Sequence, residues 1–459
     1  MIYRTFALSL LLCAASTAHA EPLSRGGAVA RALRQNPQLA AARAVEDQSE
    51  ARGAQADAAQ FPTVNITLGV GPSLKAKLVP GTGSLSTENT YGDVGLKDLS
   101  VALGGQLQIL QPLYTFGKIS ERQNAAAHEL KARRAQTDMT GAQLAVTVAQ
   151  LYESLLFARD AERFFQEISH WLERSAQDTQ HEIEKGAGTR EQDLLRMQAA
   201  IGAARMGLHQ ASAGKHQAEA GIVAYLAYPT GSSIEPKEGA LALLPHELPD
   251  RAKLIALASQ RRPELRALAE GSAAFDALAL AEAAGNYPDF FALAFADGAY
   301  TPGREVASSR YVKDPLNGFY PGLLVGARWS ITGLMSTQRA NENRAKAREL
   351  AEMKRWAELG LPAEVTKSFE DAQRAKADDV EAEKAVAIAK RWSVQASADY
   401  AVGLGDVREV TDATQAFVQL RIASYDAKYR YNVALAELER AVGGFHAPEP
   451  NALYPSREE

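Results

Sequence analysis

Cysteine, long apolar runs and a strong net charge are all scarce in this chain. The single cysteine, Cys13, lies in the N-terminal segment, so the rest of the chain is expected to hold neither a disulfide nor a thiolate metal site. A formal net charge of −5 over 459 residues is too mild to indicate a nucleic-acid partner. Beyond the N-terminus, no run approaches the ~18 uncharged apolar residues of a membrane-spanning helix. If the chain crosses a membrane, we therefore expect it to do so with strands.

The N-terminus has the pattern of a secretory signal. Arg4 supplies a basic start, residues 6–15 form an apolar core, and Ala18-His19-Ala20 is a small-residue cleavage site. The pattern predicts a signal peptide over residues 1–20, with Glu21 as the first mature residue.

The mature chain alternates between short segments with a period of two and very long helical segments. Val64, Ile66 and Leu68, for example, alternate with Asn65 and Thr67. The predicted organisation is a first repeat, 21–229, with strands near 63–70 and 101–110 and a helical hairpin over 117–226; a connector, 230–250; a second repeat, 251–443, with strands near 290–297 and 322–330 and a hairpin over 333–442; and a C-terminal tail, 444–459.

Matching landmarks indicate that the two halves arose by tandem duplication. Pro37 and Pro263 stand as far apart as Pro62 and Pro288, and each pair marks the same structural transition. We expect one helix over residues 24–60 before the first strand. The second long helix is expected to be interrupted at Gly360-Leu361-Pro362, because proline breaks helices.

The predicted strands have one apolar and one polar or small-residue face, as in a water-filled membrane barrel. In the third strand the apolar face is assigned to Phe291, Leu293 and Phe295, with alanines opposite. The smallest membrane barrels need about eight strands, so four per chain require several copies. Helices of about 100 Å must likewise pack along neighbours. A strand barrel joined to a tube of helices would form a duct.

One segment also resembles a family signature. Gln111 to Lys118, Gln-Pro-Leu-Tyr-Thr-Phe-Gly-Lys, is similar to the motif with which TolC-type outer-membrane efflux proteins pass from a barrel strand into a long helix. Gln111, Pro112, Phe116 and Gly117 are the switch residues. The resemblance implies a mostly α fold with a small β part. It further implies a homotrimer whose twelve-stranded transmembrane β-barrel, four strands per chain, is continued by a periplasmic α-helical barrel.

The turn after the second long helix resembles the periplasmic gate of that family. Tyr400 occupies the position of a gate tyrosine, and Gly405 stands where the family has an arginine, with Arg408 nearby. Glu409 and Asp412 occupy the acidic positions and share a helix face. Three copies would form a carboxylate ring that favours cations. The alternative interpretation is a solvated helix start, where acidic residues suit the helix dipole.

The two hairpin turns are candidate docking tips for a periplasmic adaptor, as the resemblance implies. Their glycines are Gly186 and Gly188 in the first turn and Gly403 and Gly405 in the second.

The expected function is therefore a passive outer-membrane exit duct of a tripartite efflux or type I secretion system. Its expected partners are a periplasmic adaptor and an inner-membrane pump, and its helices would lie in the periplasm of a Gram-negative bacterium. We expect neither enzymatic activity nor a cofactor or metal. Drugs, metals, siderophores and secreted proteins all remain open as cargo. The first alternative is a periplasmic coiled-coil scaffold or adaptor without a pore. The second is a hydrolase with dispersed catalytic residues, which would be a compact monomer.

Overall fold

The computed structural model of the chain describes residues 22–86, 96–186, 191–307, 313–331 and 333–444. The predicted signal peptide 1–20, Gly188 and residues 445–459 of the predicted tail lie outside these ranges.

Two sets of helices, one for each half of the chain, account for most of the described residues. They are α1 (Arg25–Gln35), α2 (Pro37–Ala58), α3 (Lys118–Glu184) and α4 (Glu191–Tyr225), followed by α5 (Arg251–Arg261), α6 (Pro263–Ala283), α7 (Gly333–Ala401) and α8 (Val407–Val442). No helix in the part of the chain that the structure describes combines the length and the hydropathy of a membrane span.

The first helical segment is two helices, not the single helix expected over residues 24–60. Asn36 separates them with an extended backbone (ψ 126°), because a residue that precedes proline avoids the helical region. Its side chain accepts a hydrogen bond from Gln38 N at 2.8 Å and donates one to Tyr225 O at 2.9 Å. Arg262 has the same extended backbone (ψ 124°) before Pro263 in the second half.

The expected interruption at residues 360–362 is wrong, because α7 continues through Pro362. A proline inside a helix costs about 3 kcal/mol. Buried contacts on either side of the proline offset this cost: Leu361 and Val365 are 3 % and 0 % exposed and pack in one cluster with Leu254 and Leu438.

Four long strands form one antiparallel sheet in the order β1-β4-β5-β6. The strands are β1 (Thr63–Leu74), β4 (Leu99–Tyr114), β5 (Asp289–Tyr300) and β6 (Gly318–Arg328). The first three extend beyond their predicted bounds, and β6 begins and ends earlier than predicted. Two short strands, β2 (Lys77–Leu78) and β3 (Leu85–Ser86), pair within the loop that follows β1. The sheet therefore has two strands from each half of the chain.

The chain divides into two compact units. One comprises the described parts of Met1–Arg43, Gln136–Leu265 and Trp356–Glu459, and the other comprises those of Ala44–Ala135 and Arg266–Arg355. The second unit contains the sheet and the helical segments that adjoin it in sequence. The first unit is formed by the remaining helices and the connector between the repeats.

A buried charge organises the core of the helical unit. Glu153 is 1 % exposed and forms an ion pair with Arg25. Asn432 donates to Glu153 Oε2 at 2.8 Å and to Ala242 O at 2.9 Å, and accepts from Leu244 N at 3.0 Å. Burial raises the pKa of Glu153, although Arg25 and Asn432 oppose the shift. These contacts tie α1, α3 and α8 to the connector.

Candidate functional site

One face of the sheet consists of exposed aliphatic side chains. In an antiparallel pair, directly opposite residues project to the same side. Register therefore places residues Val64, Ile66, Leu68, Val70, Val101, Leu103, Leu107, Ile109, Leu323 and Val325 together, and we term this the aliphatic face. Leu68 is 80 % exposed and Leu323 is 85 % exposed. An unpaired apolar surface of this extent indicates contact with another apolar medium or partner.

The opposite face, here termed the mixed face, corrects one prediction. It holds Asn65, Thr67, Gln106 and Gln108, as expected, but also Phe291, Leu293 and Phe295. Phe295 lies directly opposite Gln108, and Ala296 lies opposite Leu107 on the aliphatic face. Alternation within β5 correctly separated phenylalanine from alanine, but only the register with β4 determines which set faces which side.

Aromatic residues mark both ends of the aliphatic face. Phe290 and Tyr114 are paired at one end, and Tyr300 and Phe319 lie at the other. Ten residues of β5 separate Phe290 from Tyr300, which is about 33 Å along the strand, or about 25 Å in height at a tilt near 40°. The apolar band of outer-membrane barrels has the same height and is bordered by aromatic girdles.

The predicted switch residues lie together where β4 ends and α3 begins. The register with β5 shifts between Pro112 and Tyr114, because proline has no N–H for the ladder. Gln111 Nε2 donates to the carbonyl of Gln60 at 2.9 Å, three residues before β1 begins. Phe116 and Gly117 both have left-handed backbones, with φ of 50° and 90°.

Packing holds Phe116 in this unfavourable conformation. Its ring stacks on Tyr287 at 5.0 Å between centroids and meets the edge of Tyr114 at 4.7 Å. Two residues on, Lys118 Nζ lies 2.7 Å from Asp289 Oδ1 at the start of β5. The transition from strand to helix is therefore fixed to the second half of the sheet.

The backbone of the turn between α7 and α8 leaves no room for a side chain at Gly405, the position that the family resemblance assigns to an arginine. Gly403 has a φ of 77°, and the amides of Leu404 and Gly405 both donate to Asp399 O, at 2.9 and 3.0 Å. A Cβ at Gly405 would lie 2.9 Å from the backbone nitrogen of Tyr400. A larger residue at position 405 therefore requires a different path for this turn.

The two predicted acidic residues lie in the first turns of α8 with different partners. Asp412 Oδ2 is 3.7 Å from Arg408 Nε in an exposed ion pair. Glu409 Oε1 accepts from Trp392 Nε1 at 3.5 Å. Arg408 therefore offsets the charge of Asp412 rather than that of Glu409. Trp392 was not predicted, since a lone tryptophan on a long helix has no motif.

Tyr400 contacts the first hairpin as well as its own turn. Its hydroxyl lies 3.5 Å from Thr179 Oγ1 on α3, and its ring packs against the cluster containing Met197 and Val407. Asp406, another residue that the sequence analysis did not single out, caps α8 by accepting from Arg408 N at 2.9 Å. Its position just before a helix is the signal that identifies such a cap.

The first hairpin turn is described only up to Gly186, which follows α3 with a φ of 71°. Gly188, the other glycine predicted for this tip, lies outside the described residues. Among the residues that are described, no three His, Cys, Asp or Glu side chains are grouped to hold a metal ion.

An amphipathic sheet with aromatic borders, joined in sequence to very long helical hairpins in two repeats, is the architecture that the sequence analysis expected of an outer-membrane channel. Residues 28–227 match the model of the family described as outer membrane efflux protein. This stretch is essentially the first repeat. No curated protein matches the sequence significantly.

Solved structures extend the likeness to the whole fold. The open state of the Neisseria gonorrhoeae MtrE outer membrane channel has a TM-score of 0.75 at 15 % identity, covering 95 % of this chain and 91 % of that one. The Campylobacter jejuni CmeC outer membrane channel has a TM-score of 0.74 at 14 % identity, with coverage of 97 % and 93 %. The outer-membrane channel OprN has a TM-score of 0.73 at 21 % identity, with coverage of 92 % and 90 %. The expected fold, mostly α with a small antiparallel sheet, is confirmed, and the family match covers residues 28–227.

Proposed function

We propose that this protein is an outer-membrane channel that forms the passive exit duct of a tripartite efflux or type I secretion system. Its strands lie in the outer membrane of a Gram-negative bacterium, and its helices lie in the periplasm. The channel carries substrates outward without chemistry or a cofactor, and the energy comes from a partner pump.

The sheet carries this proposal. One face is aliphatic and exposed, and the other contains glutamine, asparagine and threonine. Within the described part of the chain, β1 and β6 are the edge strands of this sheet, with no further strand beside them. Buried in lipid, these edges need partners for their backbone groups. Four strands are too few to close a barrel, whereas three copies supply twelve. In that ring, β6 of one copy pairs with β1 of the next.

The turn regions have the roles that the family resemblance implies. Tyr400, Arg408, Glu409 and Asp412 form the periplasmic gate, where three copies place their acidic residues around one opening. The hairpin tips, with Gly186 and Gly188 in one and Gly403 and Gly405 in the other, dock a periplasmic adaptor. The adaptor in turn joins the channel to an inner-membrane pump.

The rival interpretation, a periplasmic scaffold without a pore, accounts for the helices but not for the sheet. A water-soluble scaffold would expose Leu68 and Leu323 to solvent with no compensating contact. It also gives no reason for aromatic residues at both ends of the aliphatic face.

Cross-linking across the sheet edges tests the proposal, because the mature chain has no cysteine to interfere. One double variant places cysteines at Leu68 on β1 and Leu323 on β6, both on the aliphatic face. The matched control places them at Leu107 and Ala296, which lie opposite each other on the central strands. Outer membranes bearing each variant are treated with a short bis-maleimide and resolved by denaturing electrophoresis.

The edge variant should give covalent trimers, because its two cysteines meet only between copies. The central variant should remain monomeric, since its cysteines meet within one chain. Monomers in both cases, or protein found only in the soluble fraction, would contradict the pooled barrel and favour the scaffold.

A further inference from the structure

The mixed face of the sheet carries an uncharged strip that a purely polar channel wall does not need. Register aligns Leu110 with Leu293, and Leu293 with Leu324, across three neighbouring strands. Phe291 and Phe295 flank this row on β5. We term these five residues the apolar strip: Leu110, Phe291, Leu293, Phe295 and Leu324.

The strip lies opposite the aliphatic face, so lipid cannot account for it. If the aliphatic face meets lipid, the apolar strip faces the inside of the channel, beside Gln108. We propose that the apolar strip is a binding surface on the inner wall for cargo with an aromatic ring. This inference rests on the proposed channel function and assigns its substrate class.

The rings of Phe291 and Phe295 each pack against a glycine of β6. Phe295 lies opposite Gly322 on β6, where a Cβ would collide with the ring. Phe291 lies opposite Gly326, where a Cβ would be 3.0 Å from the ring. Both rings are therefore half-buried against bare backbone. This arrangement keeps both rings against the wall, and the guanidinium of Arg328 lies 6.0 Å from the centroid of the Phe291 ring.

Charged residues lie at both ends of the apolar strip. Asp297 lies 3.9 Å from Lys313 at one end, and Asp289 lies 2.7 Å from Lys118 at the other. Arg328, directly opposite Asp289, adds a second positive charge at that end. The strip itself contains no charged residue, so the complementary ligand presents a planar aromatic surface to it.

The length of the apolar strip limits the size of the ligand that it can bind, and its two rings limit the affinity. From Phe291 to Phe295 is about 13 Å along the strand, which is the length of a two- or three-ring molecule. Aromatic pairs and burial of part of one ring give weak binding, so a cargo molecule is slowed without being trapped. Loss of both rings is expected to shorten the residence of such a molecule about tenfold.

Single-channel recording in planar bilayers tests the inference, with 1-naphthol as the aromatic probe and glucose as a polar one. The wild-type protein should conduct ions and show interruptions by 1-naphthol that glucose does not cause. The variant Phe291→Ser/Phe295→Ser should conduct with 1-naphthol interruptions about tenfold shorter. A second variant, Phe291→Leu/Phe295→Leu, keeps apolar cover over the glycines and should shorten them severalfold.

Phe319→Ser is the matched control. Phe319 also lies opposite a glycine, Gly298, but on the aliphatic face. Its loss removes the same ring from the other side of the sheet and should leave the interruptions unchanged.

The results separate this inference from the channel function. Wild-type conduction with interruptions that persist in both double variants would show that the rings only cover the glycines, and would overturn the inference while leaving the channel intact. Equal shortening in Phe319→Ser would also overturn it, because the effect would not be specific to the inner wall. If the wild-type protein does not conduct, the proposed function fails first and the binding surface with it.

Discussion

Glu439 is a buried carboxyl group whose ionisation should oppose folding. It lies near the end of α8, and within the described residues its Oε2 is buried without a hydrogen-bond partner. Burial raises the pKa of Glu439 from the ordinary 4.5 to about 8. The folded protein therefore holds this carboxyl group protonated at neutral pH, whereas the unfolded chain ionises it.

The sign of the pH dependence follows from this raised pKa. The stabilising effect of the protonated group is complete below pH 4.5 and is lost as the pH rises to about 8. Each pH unit in that interval costs about 1.4 kcal/mol. Between pH 5 and pH 7.5 the loss is therefore about 3 kcal/mol, as an upper value, since relaxation and water penetration reduce it.

The variant Glu439→Gln removes this dependence, because the amide is neutral throughout. Compared with the wild type in urea unfolding, it should differ little at pH 5 and gain up to about 3 kcal/mol at pH 7.5. Glu381→Gln is the control, since the side chain of Glu381 is 74 % exposed. The reasoning is refuted if Glu439→Gln has the same effect at both pH values, or lowers stability at pH 7.5.

Two further predictions concern the helix ends. Ala227 has a left-handed backbone (φ 53°) just after α4, so Ala227→Gly should stabilise the protein by about 0.5–1 kcal/mol in urea unfolding. The control Ala224→Gly, within α4, should instead destabilise the protein by about 1 kcal/mol. If both variants changed the free energy of unfolding in the same direction, the strain argument would be contradicted. At the gate, Glu409→Gln should lower the cation preference of the channel more than Asp412→Asn does, because Arg408 already offsets the charge of Asp412. Reversal potentials measure this preference. If Asp412→Asn had the larger effect, the Arg408–Asp412 ion pair would not persist in the assembled channel.

The strands and long helices follow from periodicity, and the sequence predicted them well. Alternation of apolar and polar residues indicated all four strands, because successive side chains of a strand point to opposite faces of the sheet. The orientation of β5 was wrong, because Phe291 and Ala292 alternate equally well either way. Only hydrogen bonding to β4, far away in sequence, selects the face. Local pattern carries no information about such a long-range register.

Proline had opposite outcomes at two positions for a physical reason. Before Pro37, Asn36 takes an extended backbone and its side chain accepts from Gln38 N, so the helix divides there. At Pro362, buried neighbours compensate the lost hydrogen bond, and α7 continues. At the predicted gate, the family motif identified Tyr400 and the acidic residues. Trp392 was missed, because its contact with Glu409 joins two helices and leaves no local sequence pattern.

The central claim is that several copies of this chain pool their strands into a conducting outer-membrane channel. Electron microscopy of the mature protein, extracted from outer membranes in mild detergent and viewed end-on, tests this claim most directly. The account predicts particles with threefold symmetry around a stain-filled lumen. Compact single-copy particles without a lumen would contradict it.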